Sequence, residues 1–213
     1  MQPVFFDQFT CKNHSSLGKL VNCIFDYVDS ILIIRIDLGY KKEFSDQITL
    51  SVIQEHRARM LDNRRQNELF AHLLGYSWHI DNGEFANDVG AHGLHHQFLF
   101  IFNGINSHSE ALIGGQIAAY FETVITHGWG YGCYSSGLAT GEKIGFLGSQ
   151  LIHRTDIELH NHLLEHVAGH LTHPSAPLAD LRAELNVASR FRTFSRSRVW
   201  KPLPINHTVL KPS

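Results

Sequence analysis

Cysteine is scarce here and never arranged in pairs. Cys11, Cys23 and Cys133 lie far apart without CxxC spacing, which argues against a disulfide scaffold or a zinc ribbon. No secretory signal precedes them, so a reduced, cytoplasmic setting is expected. Long apolar runs are also lacking. The longest, Ser30 to Leu38, is interrupted by Arg35 and Asp37 and is too short for a bilayer, so no membrane partner is expected. Acidic residues are missing from one end: residues 1–184 hold 12 basic and 20 acidic residues, whereas 185–213 hold six basic and none acidic. A basic tail on an acidic body points to a polyanion contact at that end. Finally, no Gly-Lys-Ser/Thr follows the glycines of Gly128-Trp129-Gly130-Tyr131-Gly132. No strand closely precedes them either, so phosphate-loop and dinucleotide readings fail and the segment reads as a loop.

With 43% apolar and 18% charged residues, the 213-residue chain can bury a full core as one large domain. No internal repeat divides it. The expected organisation is an N-terminal arm and helix over 1–29, a main domain over 30–200 and a tail over 201–213. Residues 1–14 show no period. From Ser15, a candidate cap, Leu17, Leu20, Val21, Ile24, Phe25 and Val28 recur at helical spacing. Ile31 to Leu38 alternates, with Leu32, Ile34, Ile36 and Leu38 facing one way and Ile31, Ile33, Arg35 and Asp37 the other. Ser45 and Asp46 can cap a helix through Ile48, Leu50, Val52, Ile53 and Met60, whose outer face carries Arg57, Arg59, Arg64 and Arg65. Leu73 to Ile80 reads as a strand with Asp81-Asn82-Gly83 as its turn. Further along come a helix from Ser107 or Ser109 through Val124, a strand near Lys143 to Ile152, a helix over Asp156 to Thr172, and extended chain from Arg190 to Trp200.

The stretch Leu94 to Gly104 is the centre of this order. Its later part, Phe98 to Phe102, is apolar on both faces, as in a strand covered on both sides. Its opening, His95-His96-Gln97, breaks that pattern. Alternation puts His95 and Gln97 on one face and His96 on the other, and each polar group needs a hydrogen bond or a metal. The embedded β-α-β-β-α-β order suggests an α+β fold: an antiparallel sheet backed by helices, of ferredoxin-like kind.

Sixteen histidines is a second bias, with six of them between His153 and His173. On a helix from Asp156, Leu159, Leu163, Val167 and Leu171 form a core stripe. At about 100° per residue, His170 lies roughly 20° and His166 roughly 60° from Leu163. These histidines read either as a metal-binding edge or as partly buried residues bonded to carbonyls. His162-Leu163-Leu164-Glu165-His166 also matches the inverted zinc-protease pattern, which needs an acidic third ligand downstream. Only Asp180 and Glu184 remain there.

Taken together, the Ile31–Tyr40 strand, the Gly93–Gly104 strand, the helix ending Leu171-Thr172-His173 and the closing Arg190-Phe191-Arg192-Thr193-Phe194-Ser195 resemble a known family. They look like the replication-initiator-like proteins of filamentous phages and prophages (inovirus replication proteins and YagK/YfjJ-type domains), relatives of the HUH endonucleases. The resemblance implies a His-hydrophobe-His strand holding a divalent cation, Mg or Mn, and a helical tyrosine that attacks a DNA phosphate. On matching positions, His95, His96 and Gln97 stand where His-aromatic-His is expected, and Asp37 is the neighbouring acidic candidate. His170 stands at the tyrosine and His173 at a lysine; Gln97 in place of the second histidine weakens metal binding without excluding it, since its carbonyl oxygen can ligate, and the loss of the tyrosine weighs more heavily against the original covalent step.

These readings give expected metal residues Asp37, His95 and Gln97, catalytic positions His170 and His173, and DNA contacts at Arg190, Arg192, Arg196 and Arg198. The expected function is binding of single-stranded or hairpin DNA on a degenerate replication-initiator-like fold, with catalysis left open: any processing would depend on metal and a water nucleophile and leave no durable covalent adduct. The competing functions are a non-catalytic regulatory or inhibitory binding protein on the same fold, and a zinc hydrolase built on the HxxEH helix.

Overall fold

In the computed structural model, which describes residues 8–86, 91–106, 110–134, 150–164 and 194–200, six antiparallel strands form one sheet with helices on both faces. The order is α1 (Gln8–Phe25), β1 (Ser30–Tyr40), α2 (Leu50–Asn63), β2 (Leu73–Ala86), β3 (Ala91–Asn103), α3 (Glu110–Tyr120), β4 (Gly130–Tyr134), β5 (Gln150–His153), α4 (Ile157–His162) and β6 (Phe194–Arg196). Across the sheet the strands run β4-β1-β3-β2-β6, and β5 also pairs with β1. Thus β5 takes β1 at Ser30–Ile33 and β4 takes it at Ile36–Tyr40, while β3 lies along its other edge.

The two faces follow directly from alternation. Leu32, Ile34, Ile36 and Leu38 of β1 join Phe98, Phe100 and Phe102 of β3 beneath Ile53 and Met60 of α2 and Ile113 and Ile117 of α3. On the reverse face, Ile31 and Ile33 join Leu99, Ile101 and Ile152 beneath Leu17, Leu20, Val21 and Ile24 of α1 and Leu163 just beyond α4. This double cover explains why the first half of β1 and the end of β3 are apolar on both sides. The helix α1 begins at Gln8 rather than Ser15, and its stripe Leu17, Leu20, Val21, Ile24 and Phe25 covers the second face and belongs to the core. His14 Nε2 donates to the Leu164 carbonyl at 2.7 Å, tying α1 to the chain after α4.

Several local expectations are corrected. The cap of α2 is Thr49, whose Oγ1 accepts from the Val52 amide at 3.3 Å, while Ser45 and Asp46 sit in a preceding 3-10 turn, Lys42–Gln47. Asp81-Asn82-Gly83 does not turn: β2 continues through it, with Asp81 opposite His95 and Gly83 opposite Gly93. The arginines of α2 are mostly not an open cationic face. Arg57 stacks 3.7 Å over Trp78, Arg59 donates to the Ile125 carbonyl at 3.2 Å, Arg64 donates to the Leu61 carbonyl, and Arg65 alone of the four is exposed.

The glycine-rich segment is a loop only at Gly128-Trp129; from Gly130 it is strand β4. Gly130 and Gly132 stand opposite Tyr40 and Leu38, on the face covered by α3, while Tyr131 and Cys133 point the other way. A Cβ on Gly132 would lie 2.6 Å from Ala118 Cβ and 2.7 Å from Ala118 Cα. The glycines are therefore spaced for close helix-on-strand approach, not for phosphate. Replacing Gly132 by valine is expected to push α3 off β4 and to destabilise the protein by about 1–3 kcal/mol, read as a lowered urea midpoint. An unchanged midpoint would show that α3 shifts without cost.

Candidate functional site

On the reverse face, β1 changes character midway: Ile31 and Ile33 lie under helices, and then come Arg35 and Asp37. Register sets Asp37 opposite Cys133 of β4 on one side and Gln97 of β3 on the other, and sets Gln97 opposite His79 of β2. Side chains directly opposite in an antiparallel pair share a face, so Cys133, Asp37, Gln97 and His79 form one row across four strands. Two residues toward the β2–β3 hairpin, the same face carries Tyr131, opposite Gly39, and His95, opposite Asp81. Two residues the other way it carries Arg35 opposite Leu99, Leu99 opposite Ser77, and Ser77 opposite Arg196.

Within this row His79 is buried, while Asp37, Gln97 and Cys133 are half-buried. His95 and His79 are 1% and 2% exposed. Among the described residues, Asp37 Oδ1 is sealed from solvent with no hydrogen-bond partner. Burial raises the Asp37 carboxyl above its ordinary value, and Asp81 adds to this; Arg35 and His95 oppose it. His95 Nδ1 donates to the Gly93 carbonyl at 3.0 Å. That bond fixes the tautomer with the lone pair on Nε2 and orients the ring, the arrangement seen in histidines that ligate metals. Gly93 itself has φ +99°, a backbone state that suits glycine, so the orienting carbonyl depends on the absence of a side chain there.

The adjacent histidine has a different task. His96 points to the α2 face, is fully buried, and donates from Nε2 to the Ile53 carbonyl at 3.1 Å. Burial is the main cause that pushes it down to about 3, so it is neutral at physiological pH and ties β3 to α2. One histidine of the His95-His96 pair therefore belongs to the core and one to the polar row.

Asp37, His95 and Gln97 are thus brought to one face. Among the described residues no three His, Cys, Asp or Glu side chains group as a metal-holding set, so a cation here would take Gln97 as its third donor. A carboxylate oxygen, an amide oxygen and an imidazole nitrogen suit a hard or borderline divalent ion, and the orphaned Asp37 Oδ1 fits that use. His170, His173, Arg190 and Arg192 lie outside the described residues, as do Glu165 and His166 of the HxxEH segment. Arg196 is engaged: its Nε donates to Ser16 Oγ at 2.5 Å and its Nη1 to the Ser197 carbonyl at 3.1 Å, clamping β6 to α1. Arg198 is exposed. Because residues 66–142 contain no lysine or arginine, β2, β3 and β4 bring no lysine or arginine to this face, and its described strand cations are Arg35 of β1 and Arg196 of β6.

His79, Asp81, Tyr131 and Cys133 were missed as members of this face, whereas alternation along β1 already places Arg35 beside Asp37. The signal for the first two was present, since Ser77, His79 and Asp81 alternate in a strand just as His95 and Gln97 do. Tyr131 and Cys133 were hidden because glycines masked their strand.

No known protein family, curated protein or solved structure matches the chain. The class is the one the fold defines: an α+β protein with a six-stranded antiparallel sheet and a half-buried polar row across β4, β1, β3 and β2. No helix among the described residues is long and apolar enough to cross a membrane.

Proposed function

We propose that this protein binds single-stranded or hairpin DNA and that Asp37, His95 and Gln97 hold a magnesium or manganese ion against a phosphate of the strand. One observation carries the reading: the two central strands set Asp37 directly opposite Gln97, with His95 next along the same face. The frame is compatible. An order of β4-β1-β3-β2 with α2 and α3 on one face supports a ferredoxin-like reading of the sheet, the frame on which a replication-initiator-like protein would carry its site.

When bound, the ion would supply positive charge to a phosphate oxygen and to an attacking water. The chain's own residues prepare that place. The Gly93 carbonyl holds the His95 ring with Nε2 as acceptor, and burial keeps Asp37 short of hydrogen bonds. Because Asp37 must be ionised to ligate while its burial favours the proton, cation uptake releases a proton and strengthens as pH rises.

The test is to incubate the protein with labelled single-stranded and hairpin DNA, with and without manganese, and to run native and denaturing gels. Retardation together with manganese-dependent cleavage and no covalent band is the expected result. Arg198→Ala should weaken binding and flatten its salt dependence by about one phosphate contact. Retardation without cleavage would favour the non-catalytic binding role, and no retardation at low salt would remove DNA from the reading. A second reading has one observation in its favour: Tyr131 shares the site face beside the Asp37 row. Covalent attack by that hydroxyl would give a stable shifted band that Tyr131→Phe abolishes.

A further inference from the structure

A cavity of about 440 Å³ opens at the far end of β2 from the polar row, with Arg64, Arg65, Glu68, Phe70, Leu73 and Trp200 in its wall. Its construction is specific. The chain after β6 stays bonded to the β2 edge: Ser197 donates from its amide to the Tyr76 carbonyl, the Tyr76 amide donates to Ser197 Oγ, and the Trp200 amide donates to the Leu74 carbonyl, each at 2.9 Å. These bonds stand the indole beside Tyr76, with ring centroids 5.4 Å apart. The Arg64 guanidinium lies 4.6 Å from the Trp200 ring and 5.9 Å from the Tyr76 ring. Phe70 and Leu73, 5% and 6% exposed, form an apolar wall, and exposed Arg65 and Glu68 stand at the edge.

We propose that this pocket binds a nucleobase together with its attached phosphate. The half-exposed indole offers a flat surface on which a base stacks, and a guanidinium already in the stack adds cation–π attraction. Glu68 can accept from an exocyclic amine, and Arg65 can take the phosphate; two cations against one carboxylate suit an anionic ligand. The volume lies within the roughly 300–1,000 Å³ of small-ligand sites. The ligand is either a free mononucleotide or one residue of a single strand, and the second form rests on the proposed DNA binding.

The experiment measures anisotropy of a labelled oligodeoxyadenylate, with a matching abasic strand and adenosine monophosphate as comparisons, against wild-type protein, Trp200→Ala, Trp200→Phe and Arg65→Ala. Trp200→Ala is expected to weaken strand binding about 5- to 100-fold, with recovery in Trp200→Phe and no effect on the abasic strand. Arg65→Ala is expected to lower the salt slope by about one on both strands. If the strand binds and neither Trp200 variant changes affinity, the pocket inference is overturned while DNA binding stands. If the strand does not bind but adenosine monophosphate does, and Trp200→Ala abolishes it, the pocket stands as a nucleotide site and the DNA reading falls. Binding of neither overturns both. Should Trp200→Ala lower the unfolding midpoint sharply, Trp200→Phe with Arg65→Ala decides alone.

Discussion

Acidification from about pH 7 to about pH 4 is expected to destabilise this protein by about 3 kcal/mol through His96 alone, and His96→Phe is expected to remove that component. The imidazole is buried between α2 and β3, with the Trp78 and Phe98 rings 5.8 and 5.4 Å away. Burial, with the nearby Arg57 cation adding to it, lowers its pKa from 6.5 to about 3, against the opposing pull of the Ile53 carbonyl. The unfolded chain takes up a proton below about pH 6.5 and the folded one does not. The stability is therefore fully present above that value and is lost as pH falls toward 3, at no more than about 1.4 kcal/mol per unit. His56 is shifted downward by burial as well and acts in the same direction. Urea unfolding at several pH values reads the slope. Phenylalanine keeps the ring and forgoes one hydrogen bond, a cost of about 1 kcal/mol near neutrality. A variant with the full wild-type acid slope would mean that His96 protonates in place.

Asp37→Asn is expected to move stability and metal affinity in opposite directions. Burial raises the Asp37 pKa from 3.8, so the folded state prefers the protonated acid. Stability from this group is fully present below the unfolded value and is lost as pH rises through the raised folded value. At neutral pH the neutral amide escapes the cost of the buried charge, so the variant should unfold at higher urea there, with the difference closing below about pH 4. Manganese affinity, followed by calorimetry, should fall by more than the roughly 10–100-fold typical of losing an outer partner of a metal ligand. A more stable protein with a poorer site is the pattern of a functional carboxylate held in a costly environment. If the Asp37→Asn variant proved less stable at neutral pH, the carboxylate would be a structural anchor, and if manganese bound the variant as tightly as wild type, Asp37 would be no ligand.

Much of the frame was legible because it rests on period. The alternation of Ile31–Leu38 put Asp37 and Arg35 on one face, and that of His95-His96-Gln97 separated the two histidines; the β1–β3 register makes both alternations coincide. The helical spacing from Leu17 to Val28 likewise marked a buried face. Elements whose identity comes from a neighbour were misread. Gly130–Tyr134 has the composition of a loop and becomes a strand because β1 has an edge to fill and α3 needs room above Gly132. Asp81-Asn82-Gly83 has turn chemistry and stays extended because β3 begins early enough to pair with it.

The site divides the same way. Which side chains of one strand share a face is a matter of a two-residue repeat, and the chain determines it locally. Which strands lie side by side is set by crossovers and by hydrophobic faces that find one another over long separations. Only that assembly sets His79 and Asp81 beside Gln97 and His95, and Tyr131 and Cys133 beside β1. The commitment of the arginines was also beyond sequence. Arg57 over Trp78 and Arg196 on Ser16 are contacts across 21 and 180 positions, and no local pattern separates them from a solvated cation such as Arg65. Charge and period are local properties of the chain, whereas burial, and with it the lowered pKa of His96 and the raised one of Asp37, exists only once the helices have closed over the sheet.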